Sequence, residues 1–249
     1  MILKKLLVAN WKMNVGSKKG LFLARRISTL LNNRVKKDYI LLPSTQSIYY
    51  IKTKLNKNTV SFGAQDCSPF NTGAYTGDVA AAMLKEIGCK YVLLGHSERR
   101  KYYKEDKEIL KRKLENAFLN KLKVIFCIGE SLKDYNTGDT KKVIYRQIKE
   151  VFENKVISKN LVIAYEPVWA IGTNRIPKIE EIETIHGYIK EIFRKNYKEK
   201  NICVIYGGSV NLSNSKDIFN AKNVDGGLIG GAALKANEFK KILDNLNIL

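Results

Sequence analysis

The chain contains 249 residues, of which 45% are hydrophobic and 27% are charged. This composition is typical of a folded globular protein and excludes a largely disordered or collagen-like chain. No apolar run approaches the ~18 residues that a membrane-spanning helix requires, so we expect no membrane partner. Lys and Arg number 44 against 24 Asp and Glu, which gives a net charge of +20.

The excess positive charge favours anionic partners such as phosphorylated metabolites, nucleic acids or acidic membrane surfaces. The basic residues occur in nearly every predicted helix and form no single block. Dispersed charge normally keeps a surface solvated, and we interpret it so here. We therefore expect no nucleic-acid partner beyond non-specific charge attraction.

Eight short runs of apolar or β-branched residues predict eight β-strands. Each run is continuously apolar, which is typical of strands buried on both faces of a parallel sheet. We interpret the first run as a strand and not as a signal peptide, because polar residues follow it at once. The predicted strands cover 6–9, 39–42, 60–63, 91–94, 124–127, 162–165, 204–206 and 227–229.

Amphipathic helical patterns lie between the predicted strands. Apolar residues recur at helical spacing and form one buried stripe in each of four segments, 18–31, 106–119, 141–152 and 180–193. The strands begin about 20 to 40 residues apart, which is the size of a βα unit. Eight such units predict an α/β fold, a (β/α)8 barrel of eight parallel strands with outer helices, as a single domain over residues 1–249.

An open, doubly wound sheet is the alternative to a barrel. Its dinucleotide-binding form carries a Gly-x-Gly-x-x-Gly motif after the first strand, where this chain has Asn10, Trp11 and Lys12. No linker or low-complexity tract divides the chain. The barrel is therefore the better prediction.

Cysteine and histidine are too sparse to suggest a metal site. The chain has two His and four Cys, and no Cys-x-x-Cys pair. Scattered cysteines in a chain of this length indicate reduced thiols and a cytoplasmic location. We expect no metal and no cofactor.

Polar and glycine residues follow six of the eight predicted strands. In a (β/α)8 barrel these positions meet at one end, where the chemistry takes place. The sequence therefore predicts an active site formed by Asn10 and Lys12, Gly95 to Glu98, Gly129 and Glu130, Glu166 to Trp169, Gly207 to Ser209, and Gly230 and Gly231.

Six segments resemble the triosephosphate isomerase family in order and spacing, and the resemblance covers essentially the whole chain. They are NWKMN at 10–14, GAYTG at 73–77, GHSERR at 95–100, AYEPVWAIGT at 164–173, YGGSV at 206–210 and GGA at 230–232. The resemblance implies interconversion of dihydroxyacetone phosphate and D-glyceraldehyde 3-phosphate, with a triose phosphate as the substrate.

The resemblance also implies a role for each catalytic residue. Proton abstraction beside a carbonyl needs a base, which would be Glu166, and an electrophile at the carbonyl oxygen, which would be His96. Lys12 would stabilise the developing negative charge, Asn10 would donate a further hydrogen bond, and Glu98 would position these groups. A helix that starts at 97 would disfavour a charged imidazole, and a neutral histidine is the known form in this family.

Two further groups follow from the resemblance. Backbone N–H groups of glycine-rich strand ends would bind the phosphate, so the substrate-binding residues are Asn10, Lys12, Gly172, Ser209, Gly230 and Gly231. A mobile lid would exclude water from the intermediate. It would comprise Pro167, Val168, Trp169, Ala170, Ile171, Gly172, Thr173, Asn174, Arg175, Ile176 and Pro177.

The lid departs from the common family pattern, in which Gly-Lys-Thr-Ala follows Gly-Thr. Asn174 stands in place of a glycine, and asparagine tolerates a positive φ. Pro177 stands where alanine is usual, and proline has no N–H. In the family, a tyrosine that corresponds to Tyr206 bonds that N–H when the lid closes. We expect this closing contact to be absent or rerouted.

The resemblance implies a homodimer. The loop 65–79 resembles the one that docks into the partner subunit, which would place Thr76 near the partner's Asn10 and the partner's Lys12. Met13 stands at a position that faces the neighbouring subunit, where the family often has cysteine or another small residue. The sequence does not exclude a tetramer.

Four more residues have ordinary structural interpretations. His186 lies in the middle of a helical pattern and fits the core. Arg99 and Arg100 are expected to form ion pairs beneath the site. Cys127 ends the fifth predicted strand, and a packing role fits it because the reaction needs no thiol.

Three other functions compete with the isomerase. A metal-dependent epimerase needs more His ligands than this chain has. A Schiff-base aldolase needs a lysine at the end of a central strand, and strands four to seven offer none. A basic nucleic-acid-binding barrel is suggested by the charge alone, while Lys12, His96 and Glu166 argue against lost catalysis.

Overall fold

The eight strands close into a parallel barrel in which each strand pairs with its neighbours in chain order and β1 pairs with β8. The computed structural model describes residues 5–31, 39–55, 60–152, 160–173 and 175–246. The strands are β1 Leu6–Asn10, β2 Tyr39–Leu42, β3 Ser61–Ala64, β4 Tyr91–Leu94, β5 Lys123–Ile128, β6 Leu161–Tyr165, β7 Cys203–Tyr206 and β8 Gly226–Ile229. The predicted fold is confirmed, and each strand end lies within one residue of its prediction.

Helices surround the barrel and follow the strands in sequence. They are α1 Ser17–Leu30, α2 Thr45–Lys54, α3 Ala81–Glu86, α4 Ser97–Tyr102, α5 Lys107–Leu119, α6 Leu132–Asn136, α7 Thr140–Phe152, α8 Ile179–Tyr197, α9 Ser215–Asn220 and α10 Ala236–Leu246. Short 3₁₀ turns cover Val168–Ala170 and Gly231–Leu234. None of the helices in the described part of the chain is long and apolar enough to cross a membrane.

The predicted helix ends differ most in α8, which continues four residues beyond 193. Tyr197 belongs to the helix because its ring packs on Phe193 and Phe152, at 5.4 and 6.4 Å between ring centres. The helix stops where Lys198 takes a left-handed conformation with φ of 56°. At α5 the predicted first residue, Asp106, is the cap, and its carboxylate accepts a hydrogen bond from the N–H of Ile109.

The hydrophobic core has two layers. The inner layer fills the barrel with side chains that point to its axis, and the outer layer lies between the strands and the helices. Each fully buried large side chain stabilises the fold by roughly 1.5–3 kcal/mol. The barrel is therefore a packed core, and a ligand has room only at its ends. The inner layer comprises Leu6, Val8, Ile40, Leu42, Leu93, Ile125, Cys127, Val162, Ala164, Ile205 and Leu228.

His186 is a core residue, as predicted. It lies on α8, is fully buried, and its ring packs against those of Tyr165 and Tyr206. Burial lowers the pKa of His186 to about 3 because the charged imidazole would lose its hydration.

This buried histidine predicts a loss of stability in mild acid. Between its folded pKa of about 3 and the ~6.5 of an unfolded chain, only the unfolded state binds the proton, so the free energy of unfolding falls as the pH falls. From pH ~6.5 to ~5 it should fall by about 1.5 kcal/mol more in the unaltered chain than in His186→Gln. Urea titrations of both at each pH, at one protein concentration, measure this difference. Parallel pH profiles would contradict the prediction.

Candidate active site

The predicted site residues meet in one cavity of about 270 Å³ at the carboxyl end of the strands. Glu98 lies at its edge through its contact with Lys12. The cavity brings together residues from β1, β4, β6, β7 and β8 and the segments that follow them. Of the predicted residues, Asn10, Lys12, His96, Glu166, Gly172, Ser209, Gly230 and Gly231 line it.

Glu166 directly follows β6 and is only 2% exposed. Its backbone N–H donates to the carbonyl of Ile128 at 2.7 Å, which fixes the start of the loop. One carboxylate oxygen, Oε1, lies 3.3 Å from Nε2 of His96. The other, Oε2, accepts a hydrogen bond from the N–H of Ser97 at 3.4 Å. The carboxylate is thus held beside the imidazole and shielded from water.

Gly129 makes room for the backbone of Glu166. A Cβ at Gly129 would lie 1.7 Å from the Glu166 carbonyl oxygen. Because that oxygen belongs to the backbone, no side-chain rotation could relieve the clash. Any other residue at 129 would therefore push the base out of position. This explains one of the glycines that follow the strands.

His96 caps the amino end of α4, and this fixes its tautomer. Its Nδ1 accepts a hydrogen bond from the N–H of Glu98 at 3.2 Å, so Nδ1 bears no proton. The neutral ring therefore carries its proton on Nε2, the nitrogen that faces Glu166. The neutral donor expected at this helix end stays a prediction, and this hydrogen bond is consistent with it.

Lys12 has an unusual backbone conformation, with φ of 48°. Two neighbours hold it there: Oδ1 of Asn10 accepts its N–H at 3.0 Å, and Nε2 of Gln65 donates to its carbonyl at 2.9 Å. Its Nζ lies 2.6 Å from Oε1 of Glu98. Strained conformations of this kind persist only where the surroundings enforce them, and they concentrate at functional sites.

Gln65 was not predicted as a site residue. It directly follows β3, and its amide also donates to the carbonyl of Leu42 at 2.9 Å. Gln65 therefore ties the ends of β2 and β3 to the loop that carries Lys12. The rule that flagged the other strand ends would have found it, had it been applied to the third strand.

Glu130 anchors the first part of the predicted lid. Its carboxylate is buried and accepts hydrogen bonds from the Trp169 indole at 2.8 Å and the Tyr165 hydroxyl at 3.2 Å. Its carbonyl accepts the N–H of Val168 at 3.0 Å. Burial raises the pKa of Glu130, and the two side-chain donors oppose this effect. The sequence placed Glu130 at a strand end but suggested no role for it.

The middle of the lid is largely exposed, with Gly172, Thr173, Arg175 and Ile176 at the surface. The hydroxyl of Ser209 donates to the carbonyl of Ala170 at 2.6 Å, which ties the predicted lid to the segment that follows β7. The expectation for Asn174 concerns a residue outside the described part of the chain.

The two residues of the expected closing contact are both buried. Pro177 lies at the end of the lid. Within the described ranges, the hydroxyl of Tyr206 has no hydrogen-bond partner.

Arg99 and Arg100 have different partners. Arg99 forms the expected ion pairs, with Asp66 at 2.8 Å and Glu105 at 2.6 Å. The expectation was wrong for Arg100, whose guanidinium donates to the backbone carbonyls of Gly95 at 2.8 Å and Cys127 at 3.0 Å. This arginine therefore ties β4 to β5 and contributes no ion pair in the described part of the chain.

Cys127 is buried inside the barrel. Burial raises the pKa of its thiol, and the nearby carboxylate of Glu166 raises it further. A thiol in this state packs well and is a poor nucleophile. Over the residues that the structure describes, no group of three or more His, Cys, Asp or Glu residues is arranged to hold a metal ion.

The model of the triosephosphate isomerase family matches residues 5–246. The chain belongs to this family. Two similar relatives are the triosephosphate isomerases of Bacteroides fragilis strain YCH46 and Francisella tularensis subsp. mediasiatica. Each is 40% identical over 249 residues, which cover 98% of this chain and 99% and 98% of the respective relative.

A solved structure shows the same fold. The crystal structure of triosephosphate isomerase from Bartonella henselae superposes with a TM-score of 0.88 at 31% identity, covering 97% of this chain and 98% of the other. The predicted family, fold and enzyme class are therefore confirmed. The chain is an isomerase of glycolysis with a (β/α)8 barrel.

Proposed function

We propose that the chain interconverts dihydroxyacetone phosphate and D-glyceraldehyde 3-phosphate by proton transfer, with no metal or cofactor. The observation that supports this most directly is the pairing of a buried carboxylate with a neutral imidazole. Glu166 Oε1 lies 3.3 Å from His96 Nε2 in a cavity that Lys12 also lines. The names of the family and its relatives suggest the substrate.

Each of these residues has a defined role in the reaction. Glu166 removes a proton from the carbon next to the carbonyl, and the electron pair of that C–H bond forms the enediolate. The Nε2–H of His96 donates to the carbonyl oxygen as it gains charge, and the Lys12 ammonium stabilises the same charge. The hydroxyl proton on the carbon that lost its proton then passes, by way of His96 Nε2, to the oxygen that gained charge. Glu166 returns its proton to the neighbouring carbon, and the first carbon becomes the new carbonyl. Asn10 and Glu98 position Lys12, through its N–H and its Nζ respectively.

The opposite side of the cavity suits the phosphate. Gly172, Ser209, Gly230 and Gly231 line it. Glycines let backbone N–H groups approach an anion closely, and Gly231 begins a short 3₁₀ turn. The lid, 167–177, would close over this end and exclude water from the enediolate. Glu130 holds the near end of the lid through Trp169 and Val168.

We further propose a homodimer that completes the site. Met13 is 97% exposed and Tyr102 is 67% exposed, and both line a second cavity of about 260 Å³ beside Lys12 and Glu98. Large exposed apolar side chains in one place mark an interaction surface. The loop that carries Thr76 is exposed and could fill this cavity in a partner subunit.

We propose the reducing cytoplasm as the location of the protein, which suits its four free cysteines.

Replacement of Glu166 by glutamine should remove the base and keep the shape of the site. We expect kcat for glyceraldehyde 3-phosphate isomerisation to fall by at least ~10³, at the scale of general base catalysis, with a smaller change in KM. Steady-state assays of the purified protein measure this, with Glu108→Gln on the exposed face of α5 as the matched control. A variant that kept a tenth of the activity would show that Glu166 is not the base.

Replacement of Thr76 by arginine should break the dimer by placing a charge in the cavity beside Lys12. Sedimentation should show a monomer, and kcat should fall by ~10² or more, because small displacements of catalytic groups cost about this much. Thr184→Arg on α8 adds the same charge away from this surface and should change neither property. A fully active monomer would refute the proposed role of the partner.

Variants of Tyr206 and Pro177 test whether the lid lacks the closing hydrogen bond because proline has no N–H. With proline at 177, Tyr206→Phe should leave turnover within about threefold, since less than one ordinary hydrogen bond is at stake. In a Pro177→Ala background, the restored N–H gives Tyr206 a partner, so the same change should cost more. A double-mutant cycle on kcat measures the coupling. If Tyr206→Phe costs as much with proline as with alanine, the hydroxyl has another role.

A further inference from the structure

A groove of about 860 Å³ lies between α1 and α10, outside the candidate active site. The two helices pack side by side, and the segments that precede them close one end of the groove. Glu238 lines both this groove and the active-site cavity, so the two are neighbours. The mechanism proposed above uses none of the residues that line the groove.

The floor of the groove is apolar and partly exposed to solvent. Phe22 on α1 is 65% exposed, and Leu212, from the segment that follows β7, is 41% exposed. Leu23 and Leu234 lie beneath them. A ligand that covered Phe22 and Leu212 would remove this apolar surface from water.

Cations surround this floor. Lys18, Lys19 and Arg26 extend from α1, and Lys241 extends from α10, and all four are exposed. None of the four pairs with a carboxylate of a described residue. The one acidic residue that lines the groove, Glu238, lies 3.6 Å from Lys235. The rim therefore carries uncompensated positive charge around an apolar centre.

The sequence shows why the charge collects here. The first 65 residues contain 13 Lys and Arg but a single acidic residue, Asp38. This quarter of the chain thus supplies 12 of the 20 net positive charges. The basic residues are spread along the chain as we noted, but the acidic residues are not. Acidic residues are therefore too sparse in this part of the sequence to balance its basic residues.

We propose that this groove binds an acidic segment of a partner protein, one in which an aromatic or large aliphatic side chain is flanked by Asp or Glu. The apolar side chain would rest on Phe22 and Leu212, and the carboxylates would meet Lys18, Arg26 and Lys241. Aromatic residues and arginine are enriched in protein interfaces, where a buried apolar centre lies within a polar rim. Charge complementarity selects the partner and speeds association.

Other occupants fit the groove less well. A second copy of this chain would bring the same four cations against the first, and like charges repel. A lipid bilayer takes up a broad cluster of protruding apolar side chains, whereas the groove offers two exposed large ones, Phe22 and Leu212. A single-stranded nucleic acid needs several stacking rings, and the groove offers only Phe22. These three occupants become outcomes of the test.

Synthetic polypeptides test the proposal without a known partner. We would measure binding of a fluorescent random copolymer of glutamate and tyrosine by anisotropy at ~150 mM salt, where long-range attraction is screened. Polyglutamate of the same length carries the charge without the aromatic group. The copolymer should bind at least about tenfold more tightly, because the apolar centre supplies most of the interface energy. Equal affinity would overturn the proposal.

Variants of the groove locate the binding. Phe22→Ser should weaken copolymer binding at least about tenfold by removing the apolar centre, and Lys18→Glu with Arg26→Glu should do so by reversing the rim. Lys142→Glu with Arg194→Glu makes the same change of charge on α7 and α8 and should stay within about threefold. Thermal melting confirms that each variant is folded, and the charge pair tests the groove if Phe22→Ser does not fold.

The remaining outcomes would overturn the proposal. If Phe22→Ser did not weaken binding, the copolymer would be bound by general attraction to a basic protein. The same conclusion would follow if the control pair weakened binding as much as the groove variants do. A Phe22-dependent interaction with phosphatidylserine vesicles or with single-stranded DNA, stronger than with the copolymer, would assign the groove to a membrane or a nucleic acid. Phe22-dependent self-association in sedimentation would assign it to a second copy.

Discussion

The pairing of β1 with β8 closes the barrel, and the geometry of the site depends on that closure. The pairing aligns Ala9 with Ile229, so the residues that follow the two strands lie side by side: a Cβ at Gly230 would be 3.7 Å from Cε of Lys12. Closure itself requires glycine at the start of β8, because Gly226 has φ of 148° and a Cβ there would lie 1.8 Å from the carbonyl of Leu6. A backbone constraint at the amino end of the barrel thus positions catalytic groups at its other end.

The site gives each of its charged groups a local partner. An unpaired buried charge costs several kcal/mol, yet Glu166 is almost fully buried. The N–H of Ser97 and the imidazole of His96 offset this cost while leaving the carboxylate within the cavity. Lys12 is held in the same way by Glu98, and its strained backbone is held by Asn10 and Gln65. The reactive groups are therefore pre-organised before a substrate arrives, which is the source of most electrostatic catalysis.

The sequence predicted the strands well because strands buried on both faces are continuously apolar, and that signal is local. It singled out Lys12, His96 and Glu166 because the resemblance covers the segments that hold them, and the fold brings the three into one cavity. Features that depend on tertiary contacts were missed or wrong. The end of α8 depends on Tyr197 packing against Phe152, and the partners of Arg100 are backbone carbonyls that no pattern reveals. Phe22 and Leu212 are 190 positions apart in the chain, so only the fold shows that they share a groove.

The distribution of charge separates what the active site needs from what the rest of the chain adds. Within the cavity, Nζ of Lys12 lies 2.6 Å from Oε1 of Glu98. The two opposite charges largely cancel at a distance, so Lys12 acts only on groups close to it. The four rim cations of the groove have no carboxylate partner among the described residues. Their field falls off over a Debye length of ~8 Å at physiological salt. The net charge of +20 therefore does not describe the active-site cavity, where Lys12 is matched by Glu98.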